Sequence, residues 1–137
     1  MSKPLHILCV DDEEDILDVV RLCLSFDGGF TVSASRSGLE ALDFLDQVRP
    51  DLILLDVMMP KMDGPATLEA IRTLKTARDV PVIFMTARVH GSEVEHYLEL
   101  GAIGVVPKPF DPVTLASEIR KAFGAWQGKA GAHPGAA

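Results

Sequence analysis

Apolar residues recur along the chain in two alternating rhythms. Leu5–Val10 is a short apolar run that ends in five consecutive acids at 11–15, and Ile16, Val19, Val20, Cys23 and Leu24 then return at helical spacing. This predicts a strand, an acidic turn and a helix. Phe30, Val32 and Ala34 alternate with Thr31, Ser33 and Ser35, the pattern of a strand with one exposed face, and Leu39, Leu42, Leu45 and Val48 predict the next helix. Residues 52–55 predict a third strand running into Asp56. After a loop over 58–64, Pro65 suits the first turn of a helix carrying Leu68, Ile71 and Leu74. Residues 80–85 read as a fourth strand closed by Thr86 and Ala87, and Val94, Tyr97 and Leu98 as a helix ending near Gly101. Residues 103–106 form a short fifth strand. Asp111 is a good N-cap with Pro112 at the first helical position, ahead of a stripe of Leu115, Ile119, Ala122 and Phe123. From Gly124 the chain is too poor in apolar residues to pack, so one domain is expected over 1–125 and a flexible tail over 126–137.

Five strand-then-helix units predict an α/β fold, a doubly wound parallel sheet with helices on both faces, because parallel strands need right-handed crossovers. The first, third and fourth strands are apolar throughout, as central strands are. The second alternates, and the fifth is short and carries Pro107, so both belong at edges. The strand order 2-1-3-4-5 follows, and it places ligands at the carboxyl ends near strands one and three.

Composition narrows the function. The 137 residues are 47% hydrophobic and 24% charged, typical of one globular domain, with no room for a second full one. Any output module is therefore expected in another protein. Thirteen Lys and Arg against twenty Asp and Glu give a net charge of −7, the wrong sign for direct nucleic-acid binding. Every apolar run falls far short of the ~20 residues that span a bilayer, and residues 1–5 lack a signal-peptide pattern, so a cytoplasmic protein without membrane association is expected. Cys9 and Cys23 read as small buried hydrophobes, and His6, His90, His96 and His133 as scattered surface or packing residues.

Four polar features stand at the predicted carboxyl ends: Asp11 and Asp12, then Asp56, Thr86 and Lys108. Carboxylates gathered in one crevice repel one another and suit a hard cation, and Mg2+ held by few carboxylates keeps positions open for phosphate oxygens. A lysine and a hydroxyl opposite it suit a transferring phosphoryl group, with Asp56 as nucleophile.

The motifs VDDE (10–13), LLDVMMPKMDG (54–64), MTA (85–87) and PKPF (107–110) resemble those of response-regulator receiver domains of two-component systems, of the chemotaxis-regulator kind, over residues 4–123. The resemblance implies that Asp56 is the phosphoacceptor. It implies that Asp12 and Asp56 ligate Mg2+ with the backbone carbonyl of Met58, and that Asp11 acts through a metal-bound water. It implies further that Thr86 and Lys108 contact the phosphoryl group and report it to helix four and strand five, and that the Lys108–Pro109 bond is cis. The expected function is that of a stand-alone receiver. It would take a phosphoryl group from a histidine kinase or histidine phosphotransfer protein, signal to a downstream protein target, and catalyse only its own phosphorylation and dephosphorylation. The family usually has an aromatic residue three positions before the lysine, where this chain has Val105. A valine is nearly fixed at χ1, so the switch residues expected here are Thr86, Ala87 and the loop after them, with Val105 the altered member. An aspartate-nucleophile phosphohydrolase would need a second acid where Met58 stands, and a mononucleotide binder would need a phosphate loop where five acids stand. A phosphorylation-independent interaction module would have no use for so complete an acidic site.

Overall fold

The computed structural model describes residues 3–132. Five strands and five helices alternate: β1 (Leu5–Val10), α1 (Glu14–Asp27), β2 (Phe30–Ser35), α2 (Gly38–Gln47), β3 (Leu52–Asp56), α3 (Gly64–Ile71), β4 (Val82–Thr86), α4 (Gly91–Glu99), β5 (Gly104–Pro107) and α5 (Leu115–Ala132). All strands are parallel and lie in the order β2-β1-β3-β4-β5, with Leu5 opposite Phe30 and Ile7 opposite Leu52. The predicted class, order and edge strands are those observed.

The parity of the strands explains the unbroken apolar runs. Leu8, Val10, Ile53, Leu55, Val82 and Phe84 point into one layer with Ala41, Leu45, Leu68, Ile71 and Tyr97. Their neighbours Ile7, Cys9, Leu52, Leu54, Ile83 and Met85 point into the other, against Leu17, Val20, Leu24, Ile119 and Phe123. Both faces are covered, so neither set of alternate positions is free to be polar. No helix among the described residues is long and apolar enough to cross a membrane.

Several helix faces differ from the expected stripes. In α2 the buried residues are Gly38, Ala41 and Leu45, while Leu39 and Val48 are exposed. The cause is a close approach: a Cβ on Gly38 would run into Thr67 Oγ1 and lie 2.8 Å from Met62 Sδ, so this glycine docks the helix by its backbone and turns Leu39 outward. In α1 Leu17 is buried where Val19 was expected, and in α4 Tyr97 is buried and Leu98 exposed. Asp111 caps a single turn, its Oδ1 accepting from the Val113 N–H at 2.9 Å, and α5 proper starts at Leu115.

The flexible tail expected over 126–137 is corrected for its first part. Helix α5 runs on to Ala132, with the half-buried Trp126 ring one turn beyond Phe123 at a centroid distance of 5.7 Å. One aromatic at i+3 extends the packed stripe by a turn, and the alanines, Gln127 and Lys129 offset the cost of Gly124 and Gly128. Residues 133–137, with His133, lie outside the described residues.

Candidate functional site

The carboxyl ends of the three central strands and β5 deliver polar side chains to a common hollow, two of them from the end of β1. Asp11 follows β1 directly, its N–H donating to the Ser35 carbonyl at 3.1 Å, which seats it between β1 and β2. Its carboxylate is fully buried; Oδ1 accepts from the Glu13 N–H at 2.9 Å and so fixes the acidic turn. Asp56 closes β3 and is 2% exposed. The loop after it is pinned where the Val57 N–H donates to Met85 and the Gly64 N–H returns to the Val57 carbonyl at 2.8 Å. Any side chain at Gly64 would meet the Val57 Cα at 2.8 Å, so a glycine lets α3 start directly behind the site.

Three carboxylates converge: ligand oxygens of Asp11, Asp12 and Asp56 all lie within 4.8 Å of one another. Lys108 lies between two of them, its Nζ donating to Asp11 Oδ2 at 2.8 Å and to Asp56 Oδ1 at 3.3 Å. Its position is set by its own N–H, which donates to the Thr86 carbonyl at 2.9 Å, and the Lys108–Pro109 bond is cis. Thr86 is buried at the end of β4 with Oγ1 accepting from the Arg88 N–H at 3.0 Å. Met58, two residues beyond Asp56, turns its side chain to solvent. Ala87 is exposed on the loop beside Thr86, and Val105 is half-buried against the layer that holds Phe84 and Tyr97.

One ammonium among three carboxylates leaves an excess of negative charge. Burial, and then the neighbouring Asp11 charge, push the Asp56 carboxyl up to about 6, against the opposing pull of Lys108. Burial works against the Lys108 ammonium too. The hydrogen bond to Asp11 and the charges of Asp11 and Asp56 outweigh it and raise Lys108 above its ordinary value. Such a cluster is costly to fold and suits oxygen-loving divalent cations, which replace repulsion by coordination.

The family model of the response regulator receiver domain matches residues 7–120. The chain belongs to this family. Among relatives, it is 42% identical over 118 residues to the response regulator MprA of Mycobacterium sp. strain KMS, covering 85% of this chain and 50% of that protein. The chain thus spans about half the length of the curated relatives it matches. Among solved structures, it resembles the chemotaxis response regulator CheY4 of Vibrio cholerae with a TM-score of 0.81 and 30% identity, covering 88% of this chain and 99% of the other. It also resembles the receiver domain of the sensor histidine kinase PA1611 of Pseudomonas aeruginosa PAO1, with a TM-score of 0.77 and 28% identity over 88% of this chain and 98% of that one. That receiver was solved with a magnesium ion coordinated in its active site cleft.

The receiver's hollow thus gathers Asp11, Asp12, Asp56, Thr86 and Lys108, with Met58 and Ala87 on the loops that follow Asp56 and Thr86, while Val105 lies back along β5 opposite Phe84. The direct bridging of both acids by Lys108 goes beyond the sequence expectation of a lysine opposite a cation. So does the Thr86–Arg88 hydrogen bond; a Thr two residues before a loop N–H is its faint sequence signal. Phe110, Tyr97 and Trp126 do not all lie on one face: Tyr97 packs in one layer, and Phe110 and Trp126 pack in the opposite one.

Proposed function

We propose that this receiver accepts a phosphoryl group on Asp56 from the phosphohistidine of a kinase or phosphotransfer protein and signals by protein contact. The observation that carries the reading is the convergence of three carboxylates within 4.8 Å, with Lys108 bridging two of them. Asp12 and Asp56, with the Met58 carbonyl, would hold Mg2+, and Asp11 would act through a bound water; the donor set is all oxygen, as Mg2+ requires. The ion, when bound, neutralises charge on the phosphoryl oxygens and the attacking carboxylate.

An Asp56 carboxylate oxygen attacks phosphorus. The P–O bond forms as the P–N bond to the donor imidazole breaks, and the imidazole leaves with the electron pair and is protonated. Lys108 lies within reach of the Asp56 oxygens and balances charge on the transferred group. Thr86 supplies a hydroxyl donor at the next strand end, and Ala87 leaves room beside it. Val105 has no ring to swing, so Thr86 and Ala87 carry the switch. In this reading the chain works in the cytoplasm, with no direct contact to nucleic acid or membrane.

Intact-mass measurement with acetyl phosphate tests the reading. One phosphoryl group should be gained in the presence of Mg2+ and none after chelation, and the gain should vanish in Asp56→Asn. Equal labelling of that variant removes Asp56 as the acceptor.

A further inference from the structure

Helix α1 carries two apolar stripes. Leu17, Val20 and Leu24 are buried against the sheet. Val19, Leu22 and Phe26 repeat the same spacing two residues further on, and all three are exposed, Phe26 by 89%. One stripe seats a helix on its domain, and a second at this spacing is the seam by which helices pair. Val113, 88% exposed, comes alongside with Pro112 from the turn ahead of α5. Leu22, Cys23, Phe26, Pro112 and Val113 line an open apolar hollow of about 300 Å³. Phe26 and Val113 are the most exposed large apolar side chains among the described residues, and the phosphoryl chemistry uses neither.

Charge is divided along the same helix. Glu13, Glu14, Asp15 and Asp18 are exposed around its start. Its second half carries Arg21 and, across the helix end, Arg120, against the single acid Asp27. The helix thus has a strongly acidic start and a weakly basic end.

We infer that this patch is the face by which two copies of the chain pair, α1 against α1 in the antiparallel sense about a two-fold axis. A two-fold contact sets one patch against itself, so each copy has to carry both the knob and the hole. The protruding Phe26 ring and the hollow beside it meet that requirement. Charge selects the direction. The antiparallel sense brings the acidic start of each helix toward the other's end, with Arg21 and Arg120, whereas a parallel pair stacks four acids on four. Apolar side chains of this number bury on the order of 500 Å² per copy, less than the ~800 Å² of a standard interface, so the pair is weak, with a Kd on the order of 100 μM. No apolar residue of the patch belongs to the acidic hollow, and the inference stands apart from the reading of Asp56.

Sedimentation velocity on the full chain between about 5 and 500 μM tests this. The weight-average mass should rise from that of one chain toward that of two, and a single-chain mass throughout overturns the pairing and leaves the patch to a different protein. Phe26→Glu should weaken association by at least about tenfold, whereas Leu39→Glu, at an exposed apolar position of α2, should leave it unchanged. Any other ranking of the two variants overturns the assignment of the face. Should Phe26→Glu fail to fold, Val113→Glu takes its place under the same criterion. Direction is read by cross-linking. Asp18 and Ser25, one heptad apart and both exposed, flank the seam on one side, so in an antiparallel pair each meets the other's counterpart and in a parallel pair each meets itself. In a Cys23→Ser background, gentle oxidation of Asp18→Cys mixed with Ser25→Cys should give links joining positions 18 and 25 at least about fivefold more abundant than links joining two positions 18. Equal or reversed yields overturn the antiparallel sense.

Discussion

Two ion pairs sit at opposite ends of the same sheet. At the carboxyl end, the half-buried Lys108 pairs with the buried Asp11 and Asp56. At the opposite end, Arg120 of α5 reaches Asp27 at the close of α1 with both nitrogens, and its guanidinium carbon lies 4.8 Å from the centroid of the Phe30 ring. The lower pair is one cation with one anion in solvent, and it joins two neighbouring helices. The upper one is a single cation among three anions, partly withdrawn from water, with no charge balance of its own. The chemistry is alike in both, yet only the upper group is arranged against its own stability. That asymmetry marks a site kept for a ligand.

The largest test of this contrast is chemical. Asp56→Asn should reduce phosphoryl uptake from acetyl phosphate by more than about a hundredfold, since an amide is a far weaker nucleophile than a carboxylate, whereas Asp27→Asn should leave the rate unchanged. Rates from intact-mass time courses compare the two variants directly, and similar losses in both would dissolve the distinction.

Cation binding at the upper site should depend on pH. Protons and Mg2+ compete for the Asp56 carboxylate, which in the free protein titrates near 6. Affinity should be nearly flat above pH 7 and fall by up to about tenfold for each pH unit below 6, as one proton must leave for each ion bound. Calorimetric titration at several pH values checks this. An affinity unchanged between pH 7 and pH 5 would take Asp56 out of the ligand set.

Stability gives the next effect. The Asp56 carboxyl titrates at about 6 in the folded protein against an ordinary 3.8, so its contribution is fully present below pH 4 and is lost as pH rises through 6. A two-unit difference corresponds to up to about 3 kcal/mol before solvent screening reduces it. Urea denaturation of the Mg2+-free protein should therefore show Asp56→Asn more stable than wild type at pH 8, with the advantage gone near pH 4. Millimolar Mg2+ should raise the wild-type midpoint and leave that of the variant nearly unchanged.

What the sequence conveyed differs between these regions for physical reasons. Strands β1, β3 and β4 were legible because both their faces are buried, which leaves an apolar run with no alternative, and the residues that end them were legible because a strand end sets its next side chain. The turned face of α2 was hidden because it depends on Gly38 meeting Thr67 and Met62, and the last turns of α5 because they hang on a single aromatic, Trp126. The bridging of two acids by Lys108 needed the packed geometry, and the Asp27–Arg120 pair joins residues 93 apart with no motif to announce it.

That lower pair supplies the smallest predicted effect. The Arg120 side chain holds the Asp27 carboxyl below its ordinary range through a hydrogen bond, outweighing the slight burial, so any stability it contributes is present above pH 4 and is lost as pH falls through the lowered value. Asp27 lies at the surface, where salt screens such pairs and the side chains keep entropy when they part. Asp27→Asn should therefore shift the urea midpoint far less than Asp56→Asn does, and 1 M NaCl should remove what shift there is. Arg120 also stacks on Phe30 and fills the space above Gly29, so Arg120→Ala should destabilise more than Asp27→Asn, and the excess should persist in salt. Equal, salt-sensitive losses in the two variants would make this pair purely electrostatic, and the contrast with the buried site would then be one of degree alone.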